Sequence, residues 1–191
     1  MVKHMAAGVF KLFEKILGPT HTSLAQKKAR LIFCQPELAG KTGTSPYPVS
    51  YVLDNTSVQI DSHANVFSAQ ALDIGTRFFL QHLPAVAGDV KIADLGCGNG
   101  VVGLMAAQKC PQAQIDFYDE SFMALASAEL NFTRAFPDRL AHFIADDGMS
   151  RAPENHYQAV LCNPPFHQHN VVGDFVALQM FRDAKRALKT G

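Results

Sequence analysis

The sequence lacks the features that would assign it to several common classes of protein. It has no apolar run near the roughly 18 residues that a membrane-spanning helix needs. Residues 1–13 contain no signal-peptide core and no A-x-A cleavage site. The 4 cysteines are far apart, without a C-x-x-C pair, so we expect reduced, mostly buried thiols in a cytoplasmic protein. Their spacing also argues against a metal site.

The chain as a whole also has no excess of charge of either sign. The formal net charge is +0, but residues 1–45 hold 7 Lys or Arg against 2 Asp or Glu, and residues 46–191 hold 10 against 15. A protein that binds nucleic acid usually carries a basic footprint. Any such footprint lies around Lys27, Lys28, Arg30 and Lys41. A solvated surface is the commoner explanation for so few charges.

The first 45 residues differ in pattern from the rest of this 191-residue chain. Apolar positions predict a helix over residues 4–17 and a strand over residues 28–34. Residues 36–48 are rich in Gly, Thr, Ser and Pro, which is typical of a linker. One helix and one strand cannot form an independent core. We therefore expect residues 1–45 to be the tail of a larger domain plus a linker, and residues 46–191 to be the main domain.

Residues 46–191 alternate between predicted strands and helices. They open with a predicted hairpin of strands 50–53 and 57–60, followed by a helix over residues 71–82. We expect its apolar side chains to point inward, namely Leu72, Ile74, Phe78, Phe79 and Leu83. We then predict strands at 90–95, 113–118, 142–145 and 159–162, and helices at 101–109, 122–136 and 174–188. This alternation predicts an α/β fold with a doubly wound, mostly parallel sheet, whose C-terminal edge strands we expect to be missing after Gly191.

The most distinctive stretch is the corner Asn163-Pro164-Pro165-Phe166, which directly follows the predicted strand 159–162. The prolines stop the strand because they cannot donate to a β-ladder, and they fix φ. The Asn163 side-chain oxygen and the Pro164 carbonyl can each accept one N–H bond, and Phe166 can lie against a ring. The corner is therefore suited to gripping a planar group that carries an NH2. The alternative is an ordinary loop of turn-forming residues.

A glycine-rich loop, Asp94-Leu95-Gly96-Cys97-Gly98-Asn99-Gly100, follows one predicted strand and opens a helix, where nucleotides bind in open α/β sheets. A dinucleotide is one candidate ligand, because Gly98 to Gly103 matches G-x-G-x-x-G. S-adenosylmethionine is the other. The Asp94 carboxylate would repel a diphosphate but attract a sulfonium ligand with an α-ammonium group. We favour S-adenosylmethionine, with Asp94, Gly96, Gly98, Asn99 and Gly100 as binding residues.

Two more carboxylates end the following strands. Asp119 is placed to accept both ribose hydroxyls, and the alternative is that it caps the next helix together with Ser121. One of Asp146 and Asp147 could accept the adenine N6 amino group. We favour Asp147, and a turn carboxylate is the alternative.

Four motifs together resemble the class I methyltransferases that modify guanine N2 in ribosomal RNA. They are Asn65-Val66-Phe67-Ser68, Asp94 to Gly100, Asp119-Glu120-Ser121 and Asn163-Pro164-Pro165-Phe166-His167. The glycine and Asn-Pro-Pro-Phe motifs are common to many amino-group methyltransferases. The stretch 63–84 and the residues His167-Gln168-His169 point to this family. The resemblance covers nearly the whole chain, and it is greatest to the large-subunit branch and next to the small-subunit branch.

The resemblance implies S-adenosylmethionine as cofactor, ribosomal RNA as partner, and no membrane or metal. It implies that Asn163, Pro164 and Phe166 are catalytic, that Asn163 also contacts the cofactor, and that Phe67 and His167 contact substrate. Family members carry two methyltransferase-like halves, and the first, without a working cofactor site, serves RNA binding. Residues 1–35 would then be the tail of that first half.

Four other functions stay open at the level of the sequence. They are a small-subunit rRNA methyltransferase, an amino methyltransferase acting on DNA adenine or protein glutamine, an NAD-dependent oxidoreductase, and a non-catalytic RNA-binding fragment.

Overall fold

The computed structural model describes residues 7–26, 30–36, 44–165 and 172–190. By internal contacts the chain divides into two compact units, Met1–Ser45 and Pro46–Gly191. Among the described helices, none combines the length and apolar character that crossing a bilayer requires.

The first unit contains one helix and a short antiparallel strand pair. Helix α1 spans Ala7–Ile16, and strand β1 (Thr20–Thr22) pairs with strand β2 (Ile32–Cys34) so that Thr20 lies opposite Cys34. The helix and β2 lie within the predicted ranges. Strand β1 was not predicted, because its Thr-His-Thr sequence has no alternation of apolar and polar residues.

The second unit opens with the predicted hairpin. Strand β3 (Val49–Val52) pairs antiparallel with β4 (Gln59–Ser62), and Val49 lies opposite Ser62. Ile60, Asp61 and Ser62 are all buried, which is unusual for a hairpin with polar residues on one strand. Both the backbone and the carboxylate of Asp61 have partners. Asn131 Oδ1 accepts the Asp61 N–H at 2.8 Å, Asn131 Nδ2 donates to the Asp61 carbonyl at 2.8 Å, and Arg134 forms an ion pair with the carboxylate.

Helix α2 (Ile74–Gln81) is rotated differently from the prediction. Asp73 is its N-cap and accepts the Thr76 N–H, and Thr76 is only 6% exposed. Ile74 and Phe78 are 84% and 65% exposed, so their predicted inward orientation is wrong. Residues two positions apart along an α-helix point in directions that differ by about 200° around the helix axis. Because Thr76 lies on the buried face, Ile74 and Phe78 must lie on the opposite one.

The main sheet has four parallel strands among the described residues, in the order β7-β6-β5-β8. This confirms the α/β prediction. Both ends of each of these strands lie within two residues of the predicted ends. The elements are β5 (Lys91–Leu95), α3 (Val101–Lys109), β6 (Gln114–Asp119), α4 (Phe122–Ala135), β7 (Ala141–Ala145), β8 (Ala159–Cys162) and α5 (Val172–Ala187).

Apolar side chains cover both faces of this sheet, as a doubly wound fold requires. Ile92 and Phe117 belong to a cluster with residues of α3 and α4. Ala93 and Tyr118, their neighbours along β5 and β6, belong to a second cluster with residues of α5. Successive strand residues point to opposite faces, so each central strand is buried on two sides and its carboxyl end is held rigidly.

Candidate active site

The register of the sheet brings the two main motifs together. Leu95 of β5 lies opposite Cys162 of β8, so the glycine loop and the Asn163 corner leave the sheet side by side. The chain runs from β5 outward to β7 and then returns to the other side of β5 as β8. That reversal is a topological switch point, where open α/β sheets form a crevice at the carboxyl ends of their strands.

A cavity of about 1000 Å³ occupies this crevice. Nearly all predicted site residues that the structure describes line it, namely Phe67, Asp94, Gly96, Gly98, Asn99, Asp119, Asp147, Asn163 and Pro164. Gly100 does not. Phe166 and His167 lie outside the described residues. The structure therefore brings nine separately predicted residues, Asn163 among them, to the wall of one cavity.

Two of the three glycines in the loop, Gly98 and Gly100, have different surroundings. A Cβ built on Gly98 would meet no atom within 4 Å, although the backbone has φ +55. A Cβ built on Gly100 (φ +77) would lie 2.7 Å from the Cβ of Ala128 on α4. Gly98 thus leaves room at the cavity wall for a ligand. Gly100 instead permits close packing of the start of α3 on α4, which explains why it is set back from the cavity.

Asp94 is almost fully buried at 3% exposure. Its Oδ2 accepts the Gly103 N–H of α3 at 2.7 Å. Burial raises the pKa of Asp94 to about 7, the Gly103 hydrogen bond opposes the rise, and the charge of Asp119 adds to it. A cationic group in the cavity would stabilise the ionised form of this carboxyl.

Asn99 holds the glycine loop against the hairpin. Its side chain is 4% exposed and donates from Nδ2 to the Ser62 hydroxyl at 3.2 Å. Its carbonyl accepts a 2.9 Å hydrogen bond from the side chain of Asn131. These contacts give Asn99 a structural duty beside its place in the cavity wall.

Asp119 organises the backbone between β6 and α4. Its Oδ2 accepts the Gly98 N–H at 2.9 Å and its Oδ1 accepts the Ser121 N–H at 2.9 Å. Ser121, rather than Asp119, is the N-cap of α4 and accepts the Ala124 N–H. A carboxylate offers about four acceptor positions. Asp119 is therefore fixed in orientation and keeps further capacity to accept ligand hydroxyls.

Asp146 and Asp147 have different environments. Asp146 is 6% exposed and its Oδ1 accepts hydrogen bonds from the Asp147 N–H at 2.9 Å, the Ser150 hydroxyl at 2.8 Å and Arg151 Nε at 3.0 Å. Asp147 is exposed and lines the cavity. Of the two carboxylates, Asp147 is the one that can reach a ligand there.

The Asn163 corner is anchored from α2. Asn163 Nδ2 donates to Thr76 Oγ1 at 3.0 Å, and Pro164 is buried while Pro165 is exposed. Thr76 and its neighbours Asp73 and Gly75 also line the cavity. These three residues were not predicted from the sequence. The available signal was the Asp-x-x-Thr pattern of a helix N-cap, which predicts the cap but not the contact with Asn163.

The charge of the cavity decides which ligands fit it. Its described lining includes five carboxylates and neither Lys nor Arg; the carboxylates are Asp73, Asp94, Asp119, Glu120 and Asp147. Such a wall repels the diphosphate of a dinucleotide and attracts a sulfonium with an α-ammonium. The open space at Gly98 and the exposed Asp147 suit an adenosine-bearing ligand as well. S-adenosylmethionine therefore fits these residues, and NAD does not.

Comparison with known proteins agrees with this geometry. Residues 57–191 match the model of the methyltransferase small domain family, and residues 1–38 match that of an RLMG N-terminal domain. With the family match, the parallel four-stranded sheet identifies the fold as that of class I S-adenosylmethionine-dependent methyltransferases. The chain belongs to the methyltransferase small domain family.

Several curated relatives share the name ribosomal RNA large subunit methyltransferase G. The chain is 54% identical to the one from Erwinia tasmaniensis over 99% of the chain and 50% of the relative. It is 50% identical to the one from Ectopseudomonas mendocina over 100% of the chain and 51% of that protein. The chain thus spans about half the length of the curated relatives it matches.

One solved structure is similar over most of the chain. It is a 16S rRNA N2 guanine methyltransferase from T. thermophilus in complex with AdoMet and guanosine, with a TM-score of 0.64 and 21% identity. The match covers 95% of this chain and 50% of that one. At this identity the likeness supports the fold alone.

Proposed function

We propose that this chain contains the catalytic domain of an S-adenosylmethionine-dependent methyltransferase that modifies the exocyclic N2 of a guanine in 23S ribosomal RNA. The observation that carries the proposal is the register of β5 and β8. In this register the Asn163 corner, which we expect to accept an amine, lies beside an acidic, glycine-lined cavity. The choice of RNA, and of the large subunit, rests on the name of relatives about half identical to this chain.

Four residues would hold the cofactor. Asp94 would face the α-ammonium group, Asp119 would accept the ribose hydroxyls, and Asp147 would accept the adenine amino group. Gly98 leaves the space in which the ligand approaches the backbone. The chemistry that S-adenosylmethionine supplies when bound is an electrophilic methyl group on a sulfonium.

The Asn163 corner would position the target nitrogen. The guanine amino group donates one N–H to the Asn163 Oδ1 and the other to the Pro164 carbonyl, which directs the nitrogen lone pair toward the methyl donor. Phe67, Phe166 and His167 are the side chains we expect beside the base. Positioning of this kind provides much of the rate enhancement when reacting atoms are held about 3–3.5 Å apart. No strong base is needed, because the amine nitrogen becomes acidic only as the new N–C bond forms, and it can then release one of its two protons to solvent.

A guanine paired in a helix cannot present N2 to this cavity. We infer that the target base is flipped out or lies in a single-stranded segment. Residues 1–45 would be the tail of an RNA-binding half. Of the basic residues expected there, Lys27, Lys28 and Lys41 lie outside the described residues.

The test is mass spectrometry of ribosomal RNA from cells with and without the full-length gene. We expect one N2-methylguanosine of 23S RNA to disappear on deletion and to return with the wild-type gene. Asn163→Ala should leave it absent, with turnover reduced at least about 100-fold because the target nitrogen is no longer positioned. The same variant should bind S-adenosylmethionine within a few fold of wild type in calorimetry.

Gln108→Ala is the matched control, since it removes an exposed amide that does not line the main cavity. It should restore the methylation fully. If the missing mark were in 16S RNA, DNA or a protein glutamine, the substrate assignment would be wrong. If the protein bound RNA but calorimetry showed no heat of S-adenosylmethionine binding, the chain would be a non-catalytic RNA-binding module.

A further inference from the structure

The proposed chemistry requires one particular end of the Asn163 amide to face the target. The side-chain oxygen accepts hydrogen bonds and the nitrogen donates them. Only the oxygen can accept a hydrogen from an amine. If the amide were turned by 180°, its NH2 would face the substrate NH2 and no hydrogen bond could form. Some feature of the protein must therefore set this orientation.

Thr76 is the residue that contacts the nitrogen end. Its Oγ1 accepts from Asn163 Nδ2 at 3.0 Å, across 87 positions of sequence. The same hydroxyl lies 3.4 Å from Asp73 Oδ2, to which it donates. Asp73 Oδ2 also accepts the Thr76 backbone N–H at 2.9 Å, which is the N-cap bond of α2. The three side chains thus form one series of hydrogen bonds that ends at the cavity.

The direction of these bonds follows from the carboxylate. An ionised carboxyl group only accepts hydrogen bonds, and a hydroxyl has a single proton to donate. With that proton directed at Asp73, the Thr76 oxygen can only accept from Asn163. The amide must then present its nitrogen to Thr76 and its oxygen away from it. Gly75 lies beside both ends of this series: a Cβ built there would lie 3.0 Å from Asp73 Oδ2 and 4.0 Å from Asn163 Oδ1.

We propose that Asp73 and Thr76 are positioning residues that orient the Asn163 amide so that its oxygen, and not its nitrogen, faces the target NH2 group. Neither residue needs to touch the reacting atoms. Thr76, at the centre of the series, is only 6% exposed, which shields its hydroxyl from competing water. The inference deepens the proposed function and rests on it for its catalytic meaning, whereas the orientation itself is independent of activity.

The experiment compares Thr76→Val with Thr76→Ser. Valine keeps the shape and the backbone N–H that Asp73 caps, but it removes the hydroxyl. Serine keeps the hydroxyl. The first readout is nuclear magnetic resonance of the Asn163 side-chain NH2, identified by its disappearance in Asn163→Asp. We expect slow exchange with water in wild type and Thr76→Ser, and exchange at least about tenfold faster in Thr76→Val.

The second readout is methyl transfer from labelled S-adenosylmethionine to an unmodified 23S RNA transcript. Thr76→Val should lower kcat at least about tenfold with cofactor Kd within about twofold, and Thr76→Ser should remain within about threefold of wild-type kcat. Unchanged amide exchange and unchanged kcat in Thr76→Val would overturn the proposal. So would equal reductions in both variants.

Asp73→Ala tests the direction of the bonds separately, with Asp73→Asn as its control. Alanine removes the oxygen that accepts the Thr76 hydroxyl proton, so this proton is free to point at Asn163. Asparagine can keep its amide oxygen at the Oδ2 position, where it accepts from both the Thr76 N–H and the Thr76 hydroxyl. We expect faster exchange of the Asn163 amide and a lower kcat in Asp73→Ala than in Asp73→Asn. If wild type transferred no methyl group to RNA, the proposed function would fail. The exchange data would still support or overturn the orientation.

Discussion

At the scale of the residue, burial decides which of two neighbouring carboxylates is available to a ligand. Burial alone would raise the pKa of Asp146, but hydrogen bonds from Arg151 and Ser150 outweigh it, so the pKa lies below its usual value. Asp146 is therefore a charged anchor for the turn after β7. Asp147 is exposed instead and lines the cavity. The same amino acid stabilises a turn at one position and is available to a ligand at the next.

Asp94 should make cofactor affinity depend on pH. Its pKa is raised by burial to about 7, so it is largely protonated below that pH. An α-ammonium ligand prefers the ionised carboxylate, and an α-amino group keeps its own proton below about pH 7.7. Affinity for S-adenosylmethionine should therefore rise as pH increases from about 5.5 to about 7, approaching tenfold per unit at the low end. Calorimetric titration across this range measures the effect.

Asp94→Asn is the variant that isolates this carboxyl, since its amide oxygen can still accept the Gly103 N–H. It should bind more weakly at pH 7 and show a flat profile below it. A wild-type profile that is flat, or a rise that persists in Asp94→Asn, would show that another group carries the titration.

At the scale of the element, the loop from β5 to α3 separates two uses of glycine. Gly100→Ala should destabilise the fold by about 2–4 kcal/mol, because its Cβ would overlap Ala128 and its φ is positive. Gly98→Ala has a positive φ but open space, so about 1–2 kcal/mol is expected. Its methyl group would enter the cavity wall and weaken S-adenosylmethionine binding at least about tenfold. Urea unfolding and calorimetry measure the two effects.

Gly88→Ala is the matched control for Gly98→Ala. Gly88 has φ +90 and no atom within 4 Å of an added Cβ, and it does not line the cavity. It should show the same decrease in stability with unchanged cofactor affinity. Equal cofactor affinity in the Gly98 and Gly88 variants would mean that the ligand does not approach Gly98.

The elements of the sheet could be predicted because their signals are local. Buried parallel strands are short apolar runs, and the residues at or just after their last positions, such as Asp94 and Asn163, lie at the carboxyl edge of the sheet. The rotation of α2 could not be predicted. The apolar residues Ile74 and Phe78 suggest the wrong buried face. The polar residue Thr76 is buried instead, and it contacts Asn163, which is 87 positions away in the sequence. The local sequence pattern carries no information about such a contact. The hydrogen bonds that join Asp73 with Thr76 and Thr76 with Asn163 could not be predicted for the same reason.

At the scale of the whole molecule, acidic and basic residues are concentrated in different parts of the chain. The described lining of the cavity is acidic, so it attracts a cationic ligand. The same lining is unsuited to the negatively charged phosphate backbone of RNA. The positive charge of the chain is concentrated in residues 1–45 by sequence and, within the second unit, on and just after α5, where Arg182, Lys185 and Lys189 are exposed. These are two separate candidate surfaces for RNA.

We expect the first of them to bind RNA. Replacing Lys27, Lys28 and Lys41 by Gln should weaken binding of a 23S RNA fragment and lower the slope of log K against log salt by about 0.7 for each phosphate that is no longer neutralised. Replacing Arg182, Lys185 and Lys189 by Gln removes the same charge and should change the slope less. Cofactor affinity should stay constant in both triple variants, because the acidic cavity is expected to bind the cofactor through its carboxylates. A larger change of slope in the second variant would place the RNA on α5 instead, beside the exposed Phe175 at the cavity wall.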